Sequence, residues 1–177
     1  MPKFSEIPQL IHANYRINLP WDHLRFSLDK YKEDYGLNLD PDFQRGHVWD
    51  DSKRIAYVEY IMRGGTSSRE LQFNCYYWDT RKGVKEGPVV LVDGKQRLNS
   101  VLMFLNNELK AFGSYRKEYI DRCGLTGPQF ILFMNNLETR KEVLEWYLQL
   151  NSGGVVHTQE ELDKVKKLLE KENEKES

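Results

Sequence analysis

The sequence predicts an α+β protein, a small mixed sheet flanked by helices. Three observations predict it. PVVLV (88–92) and FILFM (130–134) are short apolar runs rich in branched and aromatic residues, the composition of buried strands. Four stretches repeat apolar residues at helical spacing. Two T-x-x-E boxes, at Thr139 and Thr158, mark helix starts towards the C-terminus.

Taken in order, Pro20 suits the first turn of a helix whose apolar stripe is Trp21, Leu24, Leu28 and Tyr31, with Gly36 to end it. A short extended piece, LNLDPDF, leads to Gln44 and Arg45. Asp50 is placed to cap a second helix with Ile55, Val58 and Met62 inward and Gly64 and Gly65 past its end. ELQFNCYYW alternates Leu71, Phe73, Cys75 and Tyr77, the pattern of a half-buried strand. RKGVKEGP is a polar turn, and PVVLV the buried strand after it. Leu98, Val101, Leu102 and Leu105 then recur at helical spacing. FILFM is a further strand. Thr139 opens a helix with Val143, Trp146, Tyr147 and Leu150 on one face, and Asn151, Ser152, Gly153 and Gly154 end it. Thr158 opens a last helix that runs out into KKLLEKENEKES. The expected organisation is one domain over 1–158, with 159–177 a charged, frayed and solvated helix.

Composition narrows the function classes. The 177 residues suffice for one real core. A net charge of −1 argues against a strongly basic nucleic-acid binder. No apolar run approaches the roughly 18 residues that span a membrane, and MPKFSEIPQL has no signal-peptide core, so the expectation is a cytoplasmic protein without a membrane partner. Cys75 and Cys123 are isolated and read as buried free thiols. His12, His23, His47 and His157 have no ligand spacing, so no metal site is expected from them. No nucleophile elbow is present.

One stretch interrupts the apolar pattern. LVDGKQRLNSVLMFL places Asp93, Gly94, Lys95, Gln96 and Arg97 between a buried strand and a helix. The first amides of a helix lack internal partners, and the helix dipole adds positive potential there, so such an end suits an anion. Gly94 permits a sharp turn and a close approach to a ligand. Lys95 and Arg97 add cations, and Arg grips phosphate with two hydrogen bonds. Asp93 has three available roles: to cap the helix, to orient Arg97, or to hold a metal or water. Against this stands plain capping by Asp93 with Lys95 and Arg97 solvated. The element is neither a P-loop nor G-x-G-x-x-G.

VDGKQRLNSVL resembles the D-G-Q-Q-R signature of the ParB/sulfiredoxin-like domains at the N-terminus of GmrSD-type, modification-dependent restriction enzymes. DFQRGHVWDDSKRIAYVEYIMRGG resembles the upstream segment of that family, and LQLNSGGVVHTQEEL its closing segment, so the likeness runs from residue 43 to 162. The resemblance implies a ParB/sulfiredoxin-like nucleotide-binding domain over 1–158 and, at the strand–turn–helix, nucleoside triphosphate binding tied to hydrolysis, with control of a nuclease in a separate domain. By position Asp93, Gly94, Gln96 and Arg97 match. Lys95 replaces a Gln, which adds charge where phosphate would sit and leaves hydrolysis in question if that Gln positions a water. His157 replaces an apolar Leu. The nuclease half has no counterpart here, so the expectation is a stand-alone nucleotide-sensing half.

Asp93 is then the candidate catalytic residue, acting with Mg²⁺ and the nucleotide. Gly94, Lys95, Gln96 and Arg97 are candidate phosphate binders, with Gln44 and Arg45 facing them across a pocket. Arg45 alternatively pairs with Asp42 or Asp50 on the surface. Tyr76, Tyr77, Trp78, Trp49 and Trp146 are either base-stacking groups or core. Three functions follow: a nucleotide binder with slow Mg²⁺-dependent hydrolysis, a regulatory subunit of a phage or defence system that partners a separate nuclease, or a ParB-like DNA-binding module.

Overall fold

A computed structural model describes residues 10–44, 46, 49–76, 88–121, 127–152 and 159–176. The described strands are β1 (Tyr15–Pro20), β2 (Glu70–Cys75), β3 (Val89–Asp93) and β4 (Gln129–Asn135). They form one sheet in the order β1-β4-β2-β3. β1 lies antiparallel to β4, β2 parallel to β4, and β3 antiparallel to β2. The helices are α1 (Trp21–Tyr35), α2 (Asp51–Met62), α3 (Lys95–Leu105), α4 (Arg140–Ser152) and α5 (Gln159–Glu176). A mixed sheet flanked by helices is the α+β arrangement the sequence predicts.

Two apolar clusters explain the strand sequences. Trp21, Leu24 and Leu28 of α1, Val58 and Ile61 of α2, and Leu98, Val101 and Phe104 of α3 share one core with Leu71, Phe73, Leu91, Phe130 and Leu132. Val143, Leu144, Trp146 and Tyr147 of α4 and Val165 of α5 share the other with Val90, Val92 and Phe43. Successive side chains of a strand point to opposite faces. β3 therefore offers Leu91 to one core and Val90 and Val92 to the other, and only an unbroken apolar run fits. Its outer edge is covered by a bridge, in which the Asn38 amide donates to Val89 O at 2.7 Å and the Leu91 amide to Asn38 O at 3.0 Å.

The caps follow the sequence. Asp50 accepts from the Lys53 amide at 2.8 Å, and Gly36 ends α1 at φ +60°. The Thr139 hydroxyl accepts from the Glu142 amide at 3.2 Å while the Glu142 carboxylate accepts from the Thr139 amide at 2.9 Å, a complete capping box. Thr158 lies outside the described residues.

Two elements differ from expectation. Pro20 is the last residue of an edge strand rather than a helical one, and α1 begins at Trp21. Tyr15, Ile17 and Leu19 alternate along this strand, and Pro is tolerated at a sheet edge. The charged C-terminal helix is not wholly solvated. Val165 is fully buried, Lys164 Nζ donates to Asp42 O at 2.7 Å, and Glu172 meets Arg140 at 3.6 Å. A single apolar face, Val165 with Leu168 and Leu169, is enough to dock a helix otherwise built of charge.

Candidate anion site at the start of helix α3

Strand β3 ends at Asp93 and α3 begins at Lys95, so one residue, Gly94, makes the whole turn. It does so at φ +104°, where side-chain-bearing residues are strained. A Cβ there would also lie 2.6 Å from Leu71 Cδ2. The close approach that requires glycine is to β2 within the fold. α3 then takes up its first internal bond, Leu98 amide to Gly94 O at 2.9 Å.

No side chain caps α3. Asp93 instead accepts from Arg97 Nη2 at 2.5 Å, an i,i+4 pair that bridges the turn. Of the three geometric roles open to its carboxylate, this structure displays the orientation of Arg97. Lys95 reaches the other way and donates to Asp40 Oδ1. The Lys95 side chain is 9% exposed and that of Asp40 77%, so a buried ammonium meets a carboxylate in water.

Gln96 is spent on architecture. Its Nε2 donates to Gly46 O at 2.8 Å, and its Oε1 accepts from the Trp49 amide at 3.3 Å. Both bonds tie the first turn of α3 to the chain that leads into α2. Gln44 is buried and donates to Leu91 O at 2.5 Å. Arg45 lies outside the described residues; Asp42 pairs with Arg140, and Asp50 caps α2.

These residues enclose a cavity of about 80 Å³, lined by Gln44, Trp49, Val92, Asp93, Gly94, Lys95, Gln96, Arg97 and Tyr147. Ligand pockets that swallow a whole small molecule run to roughly 300–1,000 Å³. This one has room for an anionic group and leaves a sugar and base outside. A larger hollow of about 240 Å³ lies between α1 and α3, with Leu28, Leu37, Leu39 and Leu102 beneath Arg25, Asp29 and Lys32. It contains none of the sequence-predicted site residues.

Among the described residues two ion pairs stand at the turn, Lys95 with Asp40 and Arg97 with Asp93. Tyr57 sits close behind. Burial pushes its hydroxyl well above the usual tyrosine range, the positive charges of Arg97 and Arg69 offset part of that, and the hydroxyl donates to Ser68 O at 2.6 Å.

The aromatic candidates separate. Trp146 is core, 1% exposed. Trp49 lines the cavity, with Lys53 Nζ 5.0 Å from its ring centre and Tyr57 edge-on at 5.5 Å. Tyr76 is partly buried, and Tyr77 and Trp78 lie outside the described residues. Cys75 is a buried free thiol, and Cys123 lies outside the described residues. His12 and His23 are exposed; His47 and His157 lie outside the described residues. Among the described residues no three His, Cys, Asp or Glu side chains gather as a metal cage. Sequence reading missed Asp40 and Tyr147 at the site. Tyr147 reads from its spacing as part of the inward face of α4, and Asp40 stands 55 positions before its partner with no local signal of the pairing.

The fold and this turn define a small α+β domain with paired cations at the start of a helix. A family model described as GmrSD restriction endonuclease, N-terminal domain, matches residues 27–127, more than half the chain and the whole of the strand–turn–helix. The chain belongs to that family of GmrSD N-terminal domains. A search of curated proteins and a search of solved structures found no match. Among the described residues no helix is long and apolar enough to cross a membrane.

Proposed function

We propose that this domain binds the phosphates of a nucleoside triphosphate at the start of α3 and, with Mg²⁺, hydrolyses it slowly, as the sensing half of a restriction-type defence system whose cutting half is a separate nuclease. The observation that carries the reading is the placement of Lys95 and Arg97. Both cations stand on the first turn of α3, at one small cavity, with side chains 9% and 19% exposed. Burying a cation is costly unless something holds it. A site that keeps two of them beside the positive end of a helix dipole is suited to a multiply charged anion.

The two cations bring different chemistry. Arg97 is aimed by Asp93 and offers a planar fork to two phosphate oxygens. Lys95 supplies a compact point charge. The cavity volume restricts the enclosed part of the ligand to phosphate and leaves the base outside, with Trp49 as the indole among the lining residues.

Mg²⁺ is usually held by one or two carboxylates, several waters and the substrate phosphates. Among the described residues that line the cavity Asp93 is the one carboxylate, which fits a metal that arrives with its nucleotide. The ion would neutralise charge on the phosphates. Asp93 would hold it or orient the attacking water. Binding without turnover is the second reading, and one observation favours it: Arg97 already engages the Asp93 carboxylate.

Calorimetry with ATP and GTP, with and without Mg²⁺, tests the binding. Arg97→Ala should weaken it by about 1.5–3 kcal/mol, the range for a hydrogen bond to a charged group. Unchanged affinity removes Arg97 from the site. Phosphate release then separates the two readings. Asp93→Asn keeps the side-chain shape and loses the charge. Loss of turnover with nucleotide still bound supports catalysis, and equal turnover in parent and variant refutes it. Nucleotide binding with no turnover in either protein leaves a nucleotide sensor.

A further inference from the structure

We infer that Arg69 is a second guanidinium of the α3 anion site, and that it suits the site to a chain of phosphates rather than to a single phosphate. This rests on the phosphate-binding reading of the turn and adds what the site selects. The sheet brings the two arginines together. Gln72 of β2 pairs with Asp93 of β3, so the start of β2 runs alongside the Gly94 turn. Glu70 O and Arg97 Nη2 stand 3.4 Å and 3.5 Å from one point there, the place that a Gly94 Cβ would take. The Arg97 guanidinium therefore lies beside the backbone of Glu70, and Arg69 is the residue before it. Tyr57 is a neighbour of both. Its hydroxyl donates to Ser68 O at 2.6 Å; burial raises the pKa of that hydroxyl, and the charges of Arg97 and Arg69 are each close enough to offset part of the rise.

The backbone that carries Arg69 is fixed, while its side chain is left unmatched. Tyr57 holds Ser68 O, the Ser67 amide donates to the Tyr60 hydroxyl at 3.1 Å, and Arg69 O accepts from the Ile131 amide at 3.0 Å. Ser68 sits at φ +58°, a left-handed turn that few side-chain-bearing residues adopt. Arg69 itself is partly buried, and its Nε is shut from water with no acceptor. Among the described residues no ion pair joins it to a carboxylate. Its neighbour Glu70 is exposed, and strand alternation sends the two side chains to opposite faces. A half-buried guanidinium with an unused N–H is costly to keep unless an anion meets it. Arg97 has that anion in Asp93; Arg69 has none from the described chain. Arg69 is also outside the lining of the 80 Å³ cavity, which has room for one anionic group. A lone phosphate held by Lys95 and Arg97 therefore stays short of Arg69. A chain of phosphates that leaves the cavity past Arg97 meets a second planar fork, able to hold two more oxygens.

The test titrates the full chain with inorganic orthophosphate and with tripolyphosphate by calorimetry. The parent should bind tripolyphosphate the more tightly. Arg69→Gln should weaken tripolyphosphate about ten-fold, the low end for a lost hydrogen bond to a charged group, and orthophosphate by less than about two-fold. Arg97→Ala should weaken both. Urea unfolding should give Arg69→Gln a midpoint no lower than the parent's, since it breaks no ion pair. If Arg69→Gln does not fold, Arg69→Lys, which keeps the charge and the stem but loses the fork, carries the same comparison. Unchanged tripolyphosphate affinity in the Arg69 variant overturns the inference. Equal losses for the two anions also overturn it, because Arg69 would then act on the cavity and not beyond it. A parent that binds the two anions equally well overturns the selection of a chain. A parent that binds neither overturns the phosphate-site reading, and this inference with it, a result distinct from the others.

Discussion

Gly94→Ala tests whether the strand–turn–helix is held as rigidly as its geometry implies. Two costs add. At φ +104° the new side chain enters backbone space that disfavours L-residues by about 1–2 kcal/mol. Its Cβ also arrives 2.6 Å from Leu71 Cδ2, well inside the roughly 3.5–4.0 Å of an ordinary carbon contact. Leu71 is fully buried, so relief requires movement of the core, and overpacking of that kind costs about 1–3 kcal/mol. The sum is about 2–5 kcal/mol, a large part of the roughly 5–15 kcal/mol by which a domain is stable. Urea unfolding reads it as a lower midpoint at unchanged slope. Leu71→Ala supplies the internal check. Alone it should cost about 2–5 kcal/mol through the cavity it leaves. Combined with Gly94→Ala it removes the atom that clashes, so the double variant should cost at least about 1 kcal/mol less than the two singles added. A Gly94→Ala cost under about 1 kcal/mol, or strict additivity with Leu71→Ala, would refute the claim that internal packing demands this glycine.

Thr139→Ala removes the hydroxyl of the α4 capping box and should cost about 1 kcal/mol, read by the same unfolding assay. Gln96→Ala breaks the bonds to Gly46 and Trp49 and should cost about 1–3 kcal/mol; lost turnover at unchanged stability would instead make Gln96 a water-positioning residue. Tyr57 gives a pH signature. Its folded-state pKa is raised by burial, so its contribution is fully present below the unfolded value of about 10 and is lost as pH rises beyond it. Tyr57→Phe should flatten the fall of unfolding free energy above pH 10, and an unaltered slope would remove Tyr57 as its source.

The parts of the fold that were legible are those where one local stretch decides the outcome. β3 announces itself because both of its faces are covered, which leaves no position for a polar residue before Asp93. α3 and α4 show their spacing and the Thr139 box is local by construction. β1 was not legible because it is short, mostly exposed and followed directly by a helix, so Pro20 carried the stronger signal for α1. The sheet order was not legible either, since the parallel pairing of β2 with β4 joins segments on either side of β3 and α3. The candidate site divides the same way. Its turn, cations and carboxylate are consecutive and legible together. What Lys95 and Gln96 are bonded to depends on Asp40, Gly46 and Trp49, which reach the site only through the tertiary fold.

That dependence changes what the five residues Asp93 to Arg97 amount to. Gly94 and Gln96 answer to the fold: one because β2 leaves no room for a Cβ, the other because it ties the turn to Gly46 and Trp49. The charged three remain, and each is already matched, Arg97 by Asp93 and Lys95 by Asp40. The paired charges among the described residues add little long-range attraction for an anion, since their fields largely cancel beyond a Debye length of about 8–10 Å. The selectivity of the turn must come at contact. Asp93 is built into a strand end, while the Asp40 side chain is 77% exposed. On the hydrolysis reading, Asp93 can hold Arg97 through Oδ2 while its other oxygen serves a metal or a water. On these readings binding would draw on Lys95 and Arg97 together and turnover on the Asp93 carboxylate, so Asp93→Asn can remove turnover while binding persists.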